Sequence, residues 1–444
     1  MRRILLTILF FSSILSGVGQ TYEERIALAM NKSDWFALDS IYKMTPKDSI
    51  APFLEVFSRC LIGNRLNRPE ESVQAFDELF RNYSTELDLG NMLSSAMMFS
   101  MDLNRLDENK RAADMLTAIL SSTKEYLDST WVTALRNNID QYNALAGYTP
   151  YEISFENQRG GKVPFRIVHV GPENKNSVLM HLENSSINGV DADITFDTGA
   201  GVNVISNALA NKYNLVPLDA SVKVAGHGLQ TGYRAIAKEL KIGDMTLKDV
   251  PFSVMDITSG NAEADKYIDQ LMIVVGSEMM LRLKDLTIDF VNNEITVPCN
   301  APQRSQIAPN MCFSSGMNLL AKGIIHDNPM LMCIDSGDAS YGSLNKKFLD
   351  RNREYVMSHG EPDSIRSAGI GGVHISQCYR VPDMELRLGG CRTMIPEMVV
   401  SLSENPSSNI LDYECNVGLM SLMRFKRIRF NMVDFVLTTY QDAN

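Results

Sequence analysis

Apolar and polar positions follow two different rhythms along this chain, and the change of rhythm divides it. From residue 21 to about 148, apolar residues recur every three or four positions. Examples are Pro52-Phe53-Leu54-Glu55-Val56-Phe57 running on to Cys60-Leu61, and Val73 through Ala75-Phe76 to Leu79-Phe80. That spacing predicts helices with one buried face. After Gly147-Tyr148-Thr149-Pro150 the texture changes. Short runs such as Val163-Pro164-Phe165-Arg166-Ile167-Val168 and Val178-Leu179-Met180-His181-Leu182 alternate with Gly and Asn clusters, which predicts an all-β region. Pro298 to Asn310 separates two β-rich segments of similar length. Ahead of everything, Arg2 and Arg3 precede a largely apolar run from Ile4 to Leu15, and small Gly17 and Gly19 precede Gln20. This is the pattern of a cleaved export leader. The run is too short for a permanent bilayer-spanning helix, although an uncleaved anchor is the alternative. The expected divisions are a leader over 1–19, a helical domain over 20–148, β segments over 151–298 and 312–440, and a linker over 299–311.

The helical half carries a faint internal echo. Asn64-Arg65-Leu66 recurs 40 residues later as Asn104-Arg105-Leu106, each copy ahead of a helical stretch, Glu70–Phe80 and Lys110–Leu120. The region is similar to a tetratricopeptide-type array of helical hairpins, although its period is long for that family; an irregular helical bundle is the competing reading. Either form supplies a surface for a protein partner and no visible catalytic group.

Composition narrows the function class. The chain has 444 residues, 45% of them hydrophobic, enough for two or three domains with large cores. A formal net charge of −11 argues against a nucleic-acid binder, which needs a basic face. The seven cysteines are odd in number and form no CxxC, and the six histidines are scattered without an HExxH. No metal site and no cofactor is therefore expected. Cys299 with Cys312, or Cys378 with Cys391, could close short disulfide loops; buried free thiols are the equal alternative.

The chemistry lies in a pair. Ile194-Thr195-Phe196 leads into Asp197-Thr198-Gly199-Ala200, and Leu331-Met332-Cys333-Ile334 leads into Asp335-Ser336-Gly337-Asp338. One Asp-[Ser/Thr]-Gly arises by chance in about one chain in five of this length; two, each after an apolar strand, are hard to ascribe to accident. Further landmarks repeat in the same order. Ala225-Gly226-His227-Gly228 answers to Ala368-Gly369-Ile370-Gly371, and Leu240-Lys241-Ile242-Gly243 to Leu386-Arg387-Leu388-Gly389. Ile273-Val274-Val275-Gly276 answers to Asn416-Val417-Gly418, with Arg282 and Arg424 each six residues beyond the last glycine. An internal duplication is the economical explanation.

On these motifs, residues from about 151 to 440 resemble the aspartic peptidases, with a retropepsin-like Asp-Thr-Gly-Ala first and both lobes on one chain as in pepsins. The resemblance implies a multidomain protein: an all-α helical-hairpin region followed by an all-β bilobal fold with two pseudo-twofold related lobes. It implies an exported endopeptidase with Asp197 and Asp335 as catalytic carboxylates, acting on a peptide or protein substrate. Two carboxyls held together share a proton, one acting as base toward water and the other as acid. The aspartic proteases are a standard illustration of that principle. Thr198 and Ser336 are expected to cross-link the two loops, and Gly199 and Gly337 to permit their close approach. Gly226, His227 and Gly228 fall where the family has its flap, and Gly369, Gly371 and Gly372 at the matching hairpin; a plain hairpin turn is the alternative for each. Tyr233 is the nearest candidate for a flap tyrosine.

Two residues depart from the family pattern. Asp338 stands where Ala200 stands in the first half, and Asn416 where the pattern prefers an apolar residue. If Asp338 points inward it raises the proton affinity of Asp335; pointing outward it is a solvated loop residue. These departures motivate the competing function, a drifted peptidase fold acting as a peptide-binding or envelope interaction module.

Overall fold

The computed structural model describes residues 20–170, 177–225, 229–256, 272–300, 302, 304, 307–369, 372–403 and 413–441. The leader expected over 1–19 lies outside them. The chain divides into two compact units, Met1–Gly147 and Tyr148–Asn444.

The first unit is helical: α1 (Tyr22–Asn31), α2 (Trp35–Met44), α3 (Pro52–Arg65), α4 (Pro69–Asn82), α5 (Leu89–Arg105), α6 (Asn109–Thr123) and α7 (Ser129–Leu145). Their starts are written in the sequence. Thr21 forms a capping box with Glu24, while Asp34, Asp88 and Asp128 each accept from a backbone N–H three residues on. Pro52 and Pro69 occupy first-turn positions that need no donor. The turns α1–α2, α3–α4 and α5–α6 close alike. Ser33, Asn67 and Asp107 take positive φ of 54°, 54° and 61°. The next N–H, from Asp34, Arg68 or Glu108, then returns to the carbonyl five residues back, of Ala29, Gly63 or Leu103. The Asn-Arg-Leu echo thus marks the ends of α3 and α5, just before two of these turns.

Between α3, α4 and α5 lies a buried polar knot. Asp102, fully buried, accepts from Ser72 Oγ at 2.7 Å, Asn64 Nδ2 at 2.9 Å and Arg105 at 2.9 Å. Burial pushes its carboxyl up, and Arg105, Asn64 and Ser72 oppose that rise.

The second unit is β-rich, and its two segments repeat one order of elements. In the first, the strand Ile194–Phe196 runs parallel to Ile273–Val275, with Thr195 opposite Val274. Ile273–Val275 is antiparallel to Val204–Ser206, which in turn runs parallel to the end of Met245–Met255. In the second, Asn328–Asp335 runs parallel to Cys415–Gly418, with Cys333 opposite Asn416. Cys415–Gly418 is antiparallel to Gly342–Leu344, which runs parallel to Cys391–Ser401. Every residue of Ile194–Phe196, Val204–Ser206 and Ile273–Val275 is buried, as in strands covered on both faces. The segments meet through Asp285–Asp289 and Arg427–Asn431, antiparallel, with Leu286 opposite Phe430, Thr287 opposite Arg429 and Ile288 opposite Ile428. One apolar cluster, including Phe196, Phe252, Val275, Ile334, Val417 and Phe430, continues through both segments.

All seven cysteines are free: neither Cys299 with Cys312 nor Cys378 with Cys391 is joined. Among the described residues no helix is long and apolar enough to cross a membrane.

Asp102→Ala strips Arg105, Ser72 and Asn64 of a common acceptor in a dry site. The expected loss is about 3–5 kcal/mol, read as a lower urea midpoint of the helical circular-dichroism signal.

Candidate active site

Each aspartate ends a buried strand and bends its chain back on itself. Asp197 Oδ1 accepts from the backbone N–H groups of Gly199 at 2.8 Å and Ala200 at 3.1 Å. Asp335 Oδ1 accepts from Gly337 and Asp338, both at 3.0 Å. Such side-chain-to-backbone bonds are the ordinary chemistry of an aspartate-led turn. They leave Oδ2 of each carboxyl as the oxygen free for other work.

The two turns lock into each other. Thr198 Oγ1 donates to the Ile334 carbonyl at 2.6 Å and accepts from Ser336 N–H at 3.0 Å. Ser336 Oγ donates to the Phe196 carbonyl at 2.8 Å and accepts from Thr198 N–H at 3.0 Å. Both side chains are fully buried. A hydroxyl is required because each must donate and accept at once.

The glycines show how closely the loops approach. A Cβ added to Gly199 would lie 2.5 Å from the Asp335 Cγ, and one added to Gly337 would lie 2.2 Å from Asp197 Oδ2. Any side chain there would occupy the space of the opposite carboxyl. Gly276 and Gly418 lie beneath, where a Cβ would meet the Ala200 carbonyl at 2.4 Å and the Ser340 carbonyl at 2.3 Å.

The carboxyls act on each other, and both are held above the usual carboxylate range. For Asp197 burial raises the value; the Gly199 N–H, the Asp335 side chain and the Ala200 and Gly337 N–H groups restrain it. For Asp335 burial again comes first, and the charges of Asp197 and then Asp338 add to it, so it is pushed well above. Two carboxyls so placed hold one proton between them and titrate as a pair.

The Asp338 carboxylate is engaged within its own segment. Its Oδ1 accepts from Ser340 N–H at 2.9 Å and Ser340 Oγ at 2.6 Å. Its Oδ2 accepts from Asn416 Nδ2 at 2.8 Å, and the same amide nitrogen donates to Asp335 Oδ2 at 3.0 Å. In the first segment the matching space is apolar: Ala200 and Val202 pack against Val204, Met255 and Val274. The contact of Asn416 with Asp335 was missed in the sequence. Its signal was the coincidence of two polar replacements at positions that face each other. A second unanticipated residue is Asn203, fully buried, whose Oδ1 accepts from Gly276 N–H at 3.0 Å while Nδ2 donates to the Tyr151 hydroxyl at 2.8 Å.

The long hairpins place the remaining expectations. Gly226, His227 and Gly228, between the strands Val216–Ala225 and Leu229–Ile242, lie outside the described residues, as does Gly371. Gly369 and Gly372 pair as the last rung between Glu361–Gly369 and Gly372–Leu388. Tyr233 lies along the first hairpin, with its hydroxyl donating to Asn207 Oδ1 at 3.1 Å.

A family model described as aspartyl protease matches residues 184–277, which include Asp197, Thr198, Gly199 and Gly276. The match supports an aspartic-peptidase-like region there and the hydrolase class that goes with it. No curated protein matches the chain.

Thr198→Val leaves the Ile334 carbonyl and the Ser336 N–H buried without partners. At about 1–3 kcal/mol for each orphaned group, chemical denaturation should show a loss of several kcal/mol, with Ser336→Ala close behind. Asp335→Asn should do the opposite as pH rises. A carboxyl whose folded pKa exceeds its unfolded value stabilises the fold fully only below the unfolded value, and that contribution is lost as pH rises through the folded one. The stability of Asp335→Asn relative to the parent should therefore climb from pH 4 to pH 8, as measured by denaturation midpoints.

Proposed function

We propose that this protein is an aspartic endopeptidase that hydrolyses peptide bonds with a water activated between Asp197 and Asp335. The observation that carries the reading is the reciprocal Thr198–Ser336 cross-link, with each loop's glycine fitted against the other's carboxyl. A structural ion pair would bring a cation to the carboxylates; here the neighbours of each are a second carboxyl and N–H donors.

The bilobal arrangement with a pseudo-twofold seam belongs to the same proposal. Thr287 and Arg429 each stand 11 residues beyond their segment's glycine, Gly276 or Gly418. They face each other across the pairing, and their neighbours exchange partners symmetrically. This self-complementary register is what a twofold relation between lobes requires.

The unequal surroundings favour one distribution of roles. Asp335, whose Oδ2 shares the Asn416 amide with the Asp338 carboxylate, keeps the shared proton and is the acid. Asp197, with backbone donors restraining its rise, is the base. Water loses a proton to Asp197 as its oxygen bonds to the peptide carbonyl carbon, and Asp335 gives its proton to the carbonyl oxygen. The tetrahedral diol then returns a proton to Asp335 from one hydroxyl. The amide nitrogen takes the proton held by Asp197, and the C–N bond breaks to give an acid and an amine. Catalysis needs one carboxyl ionised and one protonated, so the rate should be bell-shaped in pH.

Export by the 1–19 leader, and recruitment of substrate or a partner by tetratricopeptide-like hairpins in the first unit, complete the proposal. The leader reading rests on Arg2, Arg3 and the apolar run, and the hairpin reading on the three turns closed at Ser33, Asn67 and Asp107. The drifted-module alternative drew on Asp338, whose carboxylate is engaged by Ser340 and Asn416 and leaves the dyad's own bonds intact.

The test is hydrolysis of an unfolded protein by the full chain from acid to neutral pH. Asp197→Asn and Asp335→Asn should each lower the rate by about 10²–10⁴-fold. Rates equal to the parent's in either variant would overturn the assignment.

A further inference from the structure

The duplicated loops share a backbone but not a lining, and the difference falls entirely on one side of the dyad. Four positions that are apolar beside Asp197 (Ala200, Val202, Val204 and Val274) become Asp338, Ser340, Gly342 and Asn416 beside Asp335. The exchanges fit one another. Asp338 Oδ2 takes one N–H of the Asn416 amide, Asp335 Oδ2 takes the other, and Ser340 binds Asp338 Oδ1 twice.

The bridge has a cost that points to its purpose. Asn416 Oδ1 is buried and finds no hydrogen-bond partner among the described residues. A buried carbonyl left unpaired costs about 1–3 kcal/mol, and a valine, as at Val274, would avoid that cost. The amide is therefore held by what its nitrogen does. Asp335 Oδ1 already accepts two backbone N–H groups and Oδ2 only the Asn416 amide, so Oδ2 is the oxygen with the freer lone pair. One of its lone pairs is taken by Asn416, which fixes the direction of the other.

We propose that Asp338 and Asn416 are a positioning pair for the acid of the dyad: Asp338 supplies a second negative charge beside Asp335, and Asn416 orients the oxygen that is left to bear the proton. This deepens the peptidase reading and rests on it. The groups around Asp335 are consistent with that balance. Asp197 faces it from the opposite loop and Asp338 from its own. Cys333 on its own strand and Tyr413 beside it add two groups that burial holds neutral far above the working range. None of these carries a positive charge. Asp338 raises the proton affinity of Asp335, and the Asn416 donor partly offsets it.

The two residues thus act in opposite directions, which a purely structural role would not do. The experiment follows the carbonyl carbons of ¹³Cγ-labelled aspartates by NMR in the full chain, with Asp335 identified by its loss in Asp335→Asn. In parallel, kcat/KM for an unfolded protein substrate is measured against pH. Asp338→Asn, which keeps the shape and removes the charge, should lower the Asp335 titration and the alkaline limb of the profile by about one pH unit. Asn416→Val should move both upward. If Asn416→Val does not fold, Asp338→Asn decides alone, with its thermal midpoint reported beside it. An Asp335 titration that stays in place in Asp338→Asn overturns the inference, whether or not the enzyme is active. A titration that shifts in a protein that hydrolyses nothing supports the inference and removes the peptidase reading instead.

Discussion

The second unit depends on the four hydrogen bonds made by the Thr198 and Ser336 hydroxyls. They join points in the chain separated by 136–140 residues, inside a dry site where each lost partner is costly. Their geometry sets the separation of the loops, and that separation requires glycine at 199 and 337. It also forces the two carboxyls into contact. Repulsion between them is resisted by the Phe196 and Ile334 carbonyls, which belong to strands, and by the amides of the two turns. The cross-link therefore turns the rigidity of the sheets into a fixed distance between two acids.

Given that contact, the two halves need not be alike, and they are not. The scaffold around each aspartate is the same down to the strand register, with Thr195 opposite Val274 in one half and Cys333 opposite Asn416 in the other. On the proposed reading, the lining differs because a shared proton must reside somewhere. Near-identical surroundings would leave it divided between two equal sites. A charge beside one of them breaks that symmetry without moving the backbone, and the Ala200/Asp338 position is close enough to do so.

Much of this was legible in the sequence because it repeats. A motif that occurs twice, in the same order as its companions, tests itself. Strands such as Val178–Leu182 were legible from apolar runs bounded by Gly and Asn, and the helical half from its three- and four-residue spacing. What could not be read were single polar residues whose partners lie far along the chain. Asp338 meets Asn416 78 residues away, and Asn203 meets Tyr151 52 residues away. Asp102 gathers Ser72 and Asn64 from two other helices. Periodicity shows which face is buried, but it does not show which buried polar group a hydroxyl or amide will find. Cysteine pairing is opaque for the same reason: spacing along the chain does not fix distance in space.

The two units bury carboxyls in opposite ways, and the contrast separates architecture from chemistry. Asp102 lies among helices with Arg105 at 2.9 Å and two neutral donors. Its burial is offset by an opposite charge, the ordinary condition for a buried acid that only holds structure. Asp335 has no such partner among its hydrogen bonds. Its neighbours are a second carboxyl, an amide shared with a third, and two backbone N–H groups. That environment lowers stability at neutral pH, where a nearby lysine or arginine would have relieved it. A fold that keeps two acids together with no counter-cation among the described residues, and pins them with buried hydroxyls, stores electrostatic strain where a proton can be moved. The strain has a cause only if the proton is used.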